Sequence, residues 1–206
     1  VLKALVGDAA DGICVIPTDT LYMSIDKEAV KKSGMLLATD SIPDQMVISL
    51  EGKYALYKGD LMMLEMIQQC NWTRPIYVAM TVSESNYMNL GDNFIQEGLV
   101  NRITPFTTNV NGTALPGMKT LDTKRSYDCL MKKFKFGGLE TPGLYLDETV
   151  MRMCYTHRKL MATLAMHLVL EGKTAKAKQV LAYADKMIPE YNVPANFMSG
   201  GLDYAE

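Results

Sequence analysis

Apolar residues recur at two different spacings along this chain, and the change from one to the other divides it in two. In the first half, short β-branched runs alternate with helical patterns. Ile13, Val15 and Ile16 make a strand candidate closed by Pro17, and residues 20–25 make a second that leads to Asp26. Asp26 can cap a short helix over 27–32, which Gly34 ends. Residues 45–50 read as a strand, and a short run over 54–57 follows the turn at Glu51 and Gly52. A helix over 60–69 then carries Leu61, Met62, Leu64, Met66 and Ile67, an apolar stripe too wide for a free surface. Pro75 breaks the pattern, and residues 76–81 resume as a strand. Strand, helix and strand over about 35 residues predict a βαβ unit with its two strands parallel. Residues 99–106 add a further strand.

Beyond the segment TTNVNGTALPGMK, rich in Thr, Asn, Gly and Pro, the spacing is helical throughout. Asp122 caps a helix reaching about Phe134, Asp147 or Glu148 opens a long one reaching Glu171, and Thr174 caps another that ends at Ile188 before Pro189. A last segment starts at Pro194. The predicted fold is an α/β domain over 1–106 with a βαβ unit, a linker over 107–120, and an all-α, tetratricopeptide-like domain over 121–206. The repeat reading rests on a period of roughly 34 residues. Met161, Leu164, Ala165 and Leu168 fill the first helix of the repeat, and Ala177, Leu181, Ala184 and Pro189 the second. One period earlier stand Tyr127, Leu130 and Phe134; one period later, Met198, Ser199 and Leu202. An ordinary helical hairpin would show similar spacing. Ala162, Met166 and Val169 make the opposite face of the long helix apolar as well, which predicts burial all round.

Composition narrows the class. Of 206 residues, 48% are hydrophobic and 21% charged, which fits a globular chain and excludes a disordered one. The net charge of −2 leaves no positive field of the kind that draws a protein onto nucleic acid. Residues 160–170 form the longest apolar stretch, too short for the roughly 20 residues of a spanning helix. The chain begins at Val1 without a signal-peptide pattern, and is expected to be a piece of something longer. Cys14, Cys70, Cys129 and Cys154 are far apart, with no zinc spacing, and read as buried free thiols.

No catalytic constellation is visible. His157 and His167 stand ten positions apart on one helix, about 15 Å along its axis, and cannot share a metal. Asp8, Asp11, Asp19 and Asp26 read as loop and cap residues, and Gly7 and Gly12 belong to no phosphate-binding motif. No cofactor and no metal are expected. The basic residues Lys119, Lys124, Arg125, Lys132, Lys133 and Lys135 are interrupted by Asp122 and Asp128, the pattern of a solvated face with ion pairs. Asn71 and Asn111 each begin an N-x-T sequon. Asn71, Trp72, Thr73 and Arg74 put the only Trp, a guanidinium and two polar side chains into one loop. Trp72 and Arg74 are therefore the candidate binding residues for a sugar or a peptide, since Trp stacks on faces and Arg forks onto anions. In the competing reading Trp72 plugs the core and Arg74 holds backbone carbonyls.

Longer strings carry a resemblance. KGDLMMLEMIQQCNWTRPIYVA, GLVNRITPF, IDKEAV and LETPGLYLDETVMRM resemble the C-terminal portion of a family of large polytopic membrane proteins common in Bacteroidetes. That family is similar to the protein O-mannosyltransferases and other GT-C-type glycosyltransferases, which use lipid-linked sugars. Its catalytic acid is expected on a loop between early membrane helices, so no catalytic residue carries over to this chain.

The resemblance implies an extracytoplasmic, periplasmic accessory domain, tethered to its own membrane-embedded N-terminal region and not catalytic by itself. It would position an acceptor protein or peptide for a parent glycosyltransferase. The alternative is a protein-interaction module of a membrane protein that is not a transferase. A self-sufficient soluble enzyme is the weakest reading, because no acid, base and nucleophile set converges.

Overall fold

The computed structural model describes residues 18–35, 41–53, 55–108 and 120–194. The expected strand over 13–16, Cys14, most of the linker, and the segment after Pro194 with Met198, Ser199 and Leu202 lie outside the described residues. So do Gly7, Asp8, Asp11, Gly12, Asn111 and Lys119. The chain divides into two compact units: Val1–Ile95 with Val100–Thr120, and Gln96–Leu99 with Leu121–Glu206.

In the first unit, β1 (Thr20–Ser24) and β2 (Gln45–Ser49) pair antiparallel, with Met23 opposite Met46 and Tyr22 opposite Val47. Met23 and Met46 are buried, whereas Tyr22 and Val47 are exposed, so one face of the ribbon packs and the other meets solvent. Helix α1 (Lys27–Lys32) connects them. It starts where Asp26 accepts a hydrogen bond from the Ala29 backbone N–H at 3.0 Å, and it carries Glu28 in its first turn and Lys31 and Lys32 in its last. Gly34 follows at φ 61.

Helix α2 (Lys58–Cys70) begins two residues before its sequence-based start, because the Asp60 carboxylate accepts the Tyr57 N–H at 2.9 Å. Leu64, Ile67 and Cys70 are buried, while Met62 and Met66 are more than half exposed, so the stripe is narrower than expected. Beyond it, β3 (Tyr77–Ala79), β4 (Phe94–Glu97) and β5 (Val100–Ile103) form a sheet in the order β3-β5-β4, with β3 and β5 antiparallel. The βαβ unit is corrected by this topology. β2 and β3 flank α2 as expected, but they belong to different sheets and each pairs antiparallel. Parallel strands are normally covered on both faces, and here Val47 and Tyr77 face solvent. No strand forms over 55–57. The core gathers Met46, Ile48, Leu64, Ile67, Trp72, Met88, Leu90, Phe94, Ile95 and Ile103.

Among the described residues of the second unit beyond Leu121, the regular elements are helical. Helix α3 (Thr123–Asp128), capped by Asp122, runs into a π-helical turn, Cys129–Lys133. Helix α4 (Glu148–Leu170), capped by Asp147, and α5 (Thr174–Met187) form a hairpin that turns at Gly172, whose φ of 75 needs the freedom of glycine. Met161, Leu164, Ala165, Leu168, Ala177 and Ala184 are all buried in one cluster, with Leu181 partly so, and Leu130, Tyr127 and Phe134 join it. The expectation of a long helix buried all round is corrected at its end. Ala162 is buried and Met166 half-buried, but Val169 is 52% exposed. Past α5 the chain is fastened by Arg158, whose Nη2 donates to the carbonyls of Ile188 and Val193 at 2.7 and 2.9 Å. The Asn192 Nδ2 donates to the carbonyls of Leu139 and Thr141, both at 2.7 Å.

Candidate functional site: the 71–74 loop and the cleft beside it

Helix α2 ends because Asn71 takes the left-handed conformation at φ 39, which asparagine tolerates better than most residues. Trp72 follows at φ 64, where a bulky side chain is rare and strained. Its indole is what holds it there. Trp72 is 5% exposed within the core of the first unit. The loop is closed by local bonds: the Thr73 N–H and hydroxyl both donate to the Cys70 carbonyl at 2.9 and 2.7 Å, and the Cys70 thiol donates to the Arg74 carbonyl. Thr73 and Arg74 face solvent. Of the two candidate binding residues, Arg74 is thus at the surface and Trp72 beneath it, so the indole offers no face for stacking from this position.

The loop meets α1 across a long sequence separation. The Asp26 backbone N–H donates to the Asn71 Oδ1 at 3.2 Å, which sets the cap of α1 against the end of α2. A polar cleft of about 290 Å³ opens beside this junction, lined by Asp26, Glu28, Ala29, Lys32, Ser33 and Thr73. Ser33 is fully engaged: its hydroxyl donates to the Val30 carbonyl and accepts from the Met35 N–H, and its carbonyl accepts from Arg102 Nη2. Lys32, Glu28 and Ser33 were not singled out in the sequence. They carry no motif, and only the contact between positions 26 and 71 gathers them. A second, apolar hollow of about 390 Å³ lies along α2, lined by Lys58, Leu61, Met62, Glu65 and Met66.

The remaining candidates are dispersed. The His157 Nδ1 lies 2.8 Å from the Met153 carbonyl, and its ring meets the edges of Phe134 and Phe136. His167 is buried, and burial pushes its pKa below the ordinary value against the opposing pull of Glu171. Burial raises the Cys154 thiol. Cys70 and Cys154 are buried and Cys129 partly so, and all three are free thiols. Within the basic stretch, Lys132 pairs with Asp128 at 2.5 Å and holds its carboxyl below the usual range. Among the described residues no group of three or more His, Cys, Asp and Glu could hold a metal, and no helix is long and apolar enough to cross a membrane.

A family model described as TMEM260-associated domain 2 matches residues 3–125, more than half of the chain. No curated protein and no solved structure matches.

Proposed function

The chain belongs to the TMEM260-associated domain 2 family, and on that premise we propose that it is an accessory domain through which a TMEM260-like membrane protein of the protein O-mannosyltransferase-related kind positions its acceptor. The family match carries the reading. The domain sits on the extracytoplasmic, periplasmic side, tethered through the membrane-embedded part of its parent, and it contributes binding rather than chemistry. Arg74 contacts the acceptor from an exposed loop whose shape Trp72 fixes from below. Remote contacts of this kind speed a reaction only through the substrate they hold in place. The tetratricopeptide-like packing of α4 and α5 interlocks large and small residues in one cluster.

Removing the domain from the full-length parent, or replacing Arg74 with Ala, tests this. Acceptor glycosylation falls while binding of the lipid-linked donor is unchanged, and the purified chain alone transfers no sugar. Transfer by the purified chain, or undiminished acceptor use by a stable parent lacking the domain, overturns the reading.

A second reading, a protein-interaction module of a membrane protein without transferase activity, is favoured by the exposed side chains of Leu144, Tyr145, Val150 and Met153 around the start of α4. Pull-down of a partner by the chain, with no change in glycosylation on deletion, selects it.

A further inference from the structure

We propose that the cleft between α1 and the 71–74 loop takes a neutral, hydroxyl-rich ligand, a monosaccharide unit of a glycan. The cleft adjoins the loop whose Arg74 the reading above makes an acceptor contact, and the inference rests on that reading. The argument is an inventory of hydrogen-bonding capacity. Asp26 spends Oδ1 on the Ala29 N–H and leaves Oδ2 without a partner among the described residues. Glu28 spends Oε1 on Lys31 at 3.3 Å and leaves Oε2. The Thr73 hydroxyl gives its proton to the Cys70 carbonyl and keeps its lone pairs. Asn71, outside the lining, accepts the Asp26 N–H through Oδ1 and so holds the loop against the start of α1. Lys32 is exposed, with no ion pair among the described residues. The open groups of the lining are three acceptors and an ammonium donor, drawn from α1, its cap and the 71–74 loop.

Other ligand classes fit this set poorly. Asp26 and Lys32 cancel in charge and Glu28 is paired with Lys31, so the cleft has no excess of positive charge for an anion. A divalent cation needs several clustered ligands, and no such group is present among the described residues. Ala29 is the one apolar residue of the lining, too little to favour a mainly apolar ligand. A sugar ring offers adjacent hydroxyls that each donate and accept, so one hydroxyl can give its proton to a carboxylate while accepting from the ammonium. The buried Trp72 anchors the loop in advance, which lowers the ordering cost of binding.

The experiment is a two-dimensional amide NMR titration of the 206-residue chain with glucose, mannose and N-acetylglucosamine, and with triglycine and inorganic phosphate as comparison probes. At least one monosaccharide gives saturable shifts confined to residues 26–33 and 71–74, with a midpoint of roughly 1–10 mM. Lys32→Met and Glu28→Gln, both at exposed positions and each leaving the rest of the spectrum in place, weaken that midpoint about fivefold. No saturable shift from any sugar up to roughly 100 mM overturns the inference. So does triglycine or phosphate moving the same amides at lower concentration, which makes the cleft a peptide or an anion site. The deletion experiment on the parent protein is independent: lost acceptor use alongside a silent titration sinks the sugar assignment alone, and unchanged acceptor use sinks the acceptor-positioning role.

Discussion

Arg125 reaches back 28 positions to Glu97, its Nη1 lying 3.1 and 2.9 Å from the two carboxylate oxygens. The same guanidinium has its Nε 3.6 Å from Asp122, the cap of α3. The Glu97 side chain is only 6% exposed. The pair joins the 96–99 turn to α3 within the second unit, beside the bridge between Gln96 and Leu121 and the bond from the Gly98 N–H to the Ser126 hydroxyl at 3.0 Å. Removing the guanidinium takes two charge-assisted bonds from the buried Glu97 carboxylate, so Arg125→Ala should cost about 2 kcal/mol. Urea denaturation followed by helical circular dichroism measures it. A loss below about 0.5 kcal/mol would class the pair with ordinary surface bridges.

Ala177 is 2% exposed in the cluster that contains Leu164 and Ala165. Ala177→Phe adds a ring where α4 and α5 meet, and should cost roughly 1–3 kcal/mol through overpacking. Leu164→Ala leaves a cavity in the same place and should cost about 2–5 kcal/mol. Thermal melts of the two variants check both, and an unchanged Tm for either would mean that the hairpin is looser than its packing.

Trp72 is the only Trp and lies in the core of the first unit. Its fluorescence should therefore be blue-shifted and resistant to iodide quenching in the native protein, and should move to the red as that unit unfolds. Trp72→Ala should cost about 3–5 kcal/mol. Strong quenching of the native emission would contradict the buried indole.

His167 has its Nε2 buried without a hydrogen-bond partner, and burial, opposed by Glu171, holds its pKa below the ordinary 6.5. The unfolded chain then binds the proton more readily, so the contribution of this group to stability is complete above pH 6.5 and declines as pH falls toward the lowered native value. Glu171 acts in the same direction further down. Burial would raise its carboxyl, but bonds from Lys173 and from the Thr123 hydroxyl, with the charges of Lys173 and His167, hold it below 4.5. Its contribution is present above pH 4.5 and is lost below it. In His167→Gln the fall in unfolding free energy between pH 7 and 5.5 should flatten. An identical slope in the variant would remove His167 as its source.

Met62, Met66 and Met153 are each more than half exposed, whereas Met46, Met88 and Met161 are at most 1% exposed. Under mild peroxide the first three should become sulfoxides well before the others, with half-buried Met166 between them. Peptide mass spectrometry gives the order directly, and early oxidation of Met161 would contradict the packing of the hairpin.

Local chemistry made much of this fold readable. Asp26, Asp122 and Asp147 each accept the N–H three residues on, and the helices they open begin where the sequence places them, because a cap and its turn are neighbours along the chain. The stripe from Met161 to Leu168 and the small residues at 177 and 184 marked the helical hairpin for the same reason. Of the four strings that carry the resemblance, three lie within the matched residues 3–125.

Strand pairing was not readable, nor was the gathering of the cleft. Whether β2 meets β1 or β3 depends on contacts between residues distant in sequence, and the four-residue β4 is too short for its own pattern to mark it, though all four of its residues are buried. Trp72 shows the division within one residue. Its type announced a large surface to bury or to offer, and the turn at Asn71 with the core of the first unit decided that it is buried, leaving Arg74 outside and bringing Asp26, 45 positions earlier, to the loop. Residue type fixes which energies are available, but the direction of a side chain is set by backbone that folds elsewhere. For that reason the sequence alone determined the caps, the helices and the family, and only the tertiary structure decided the sheets and the cleft.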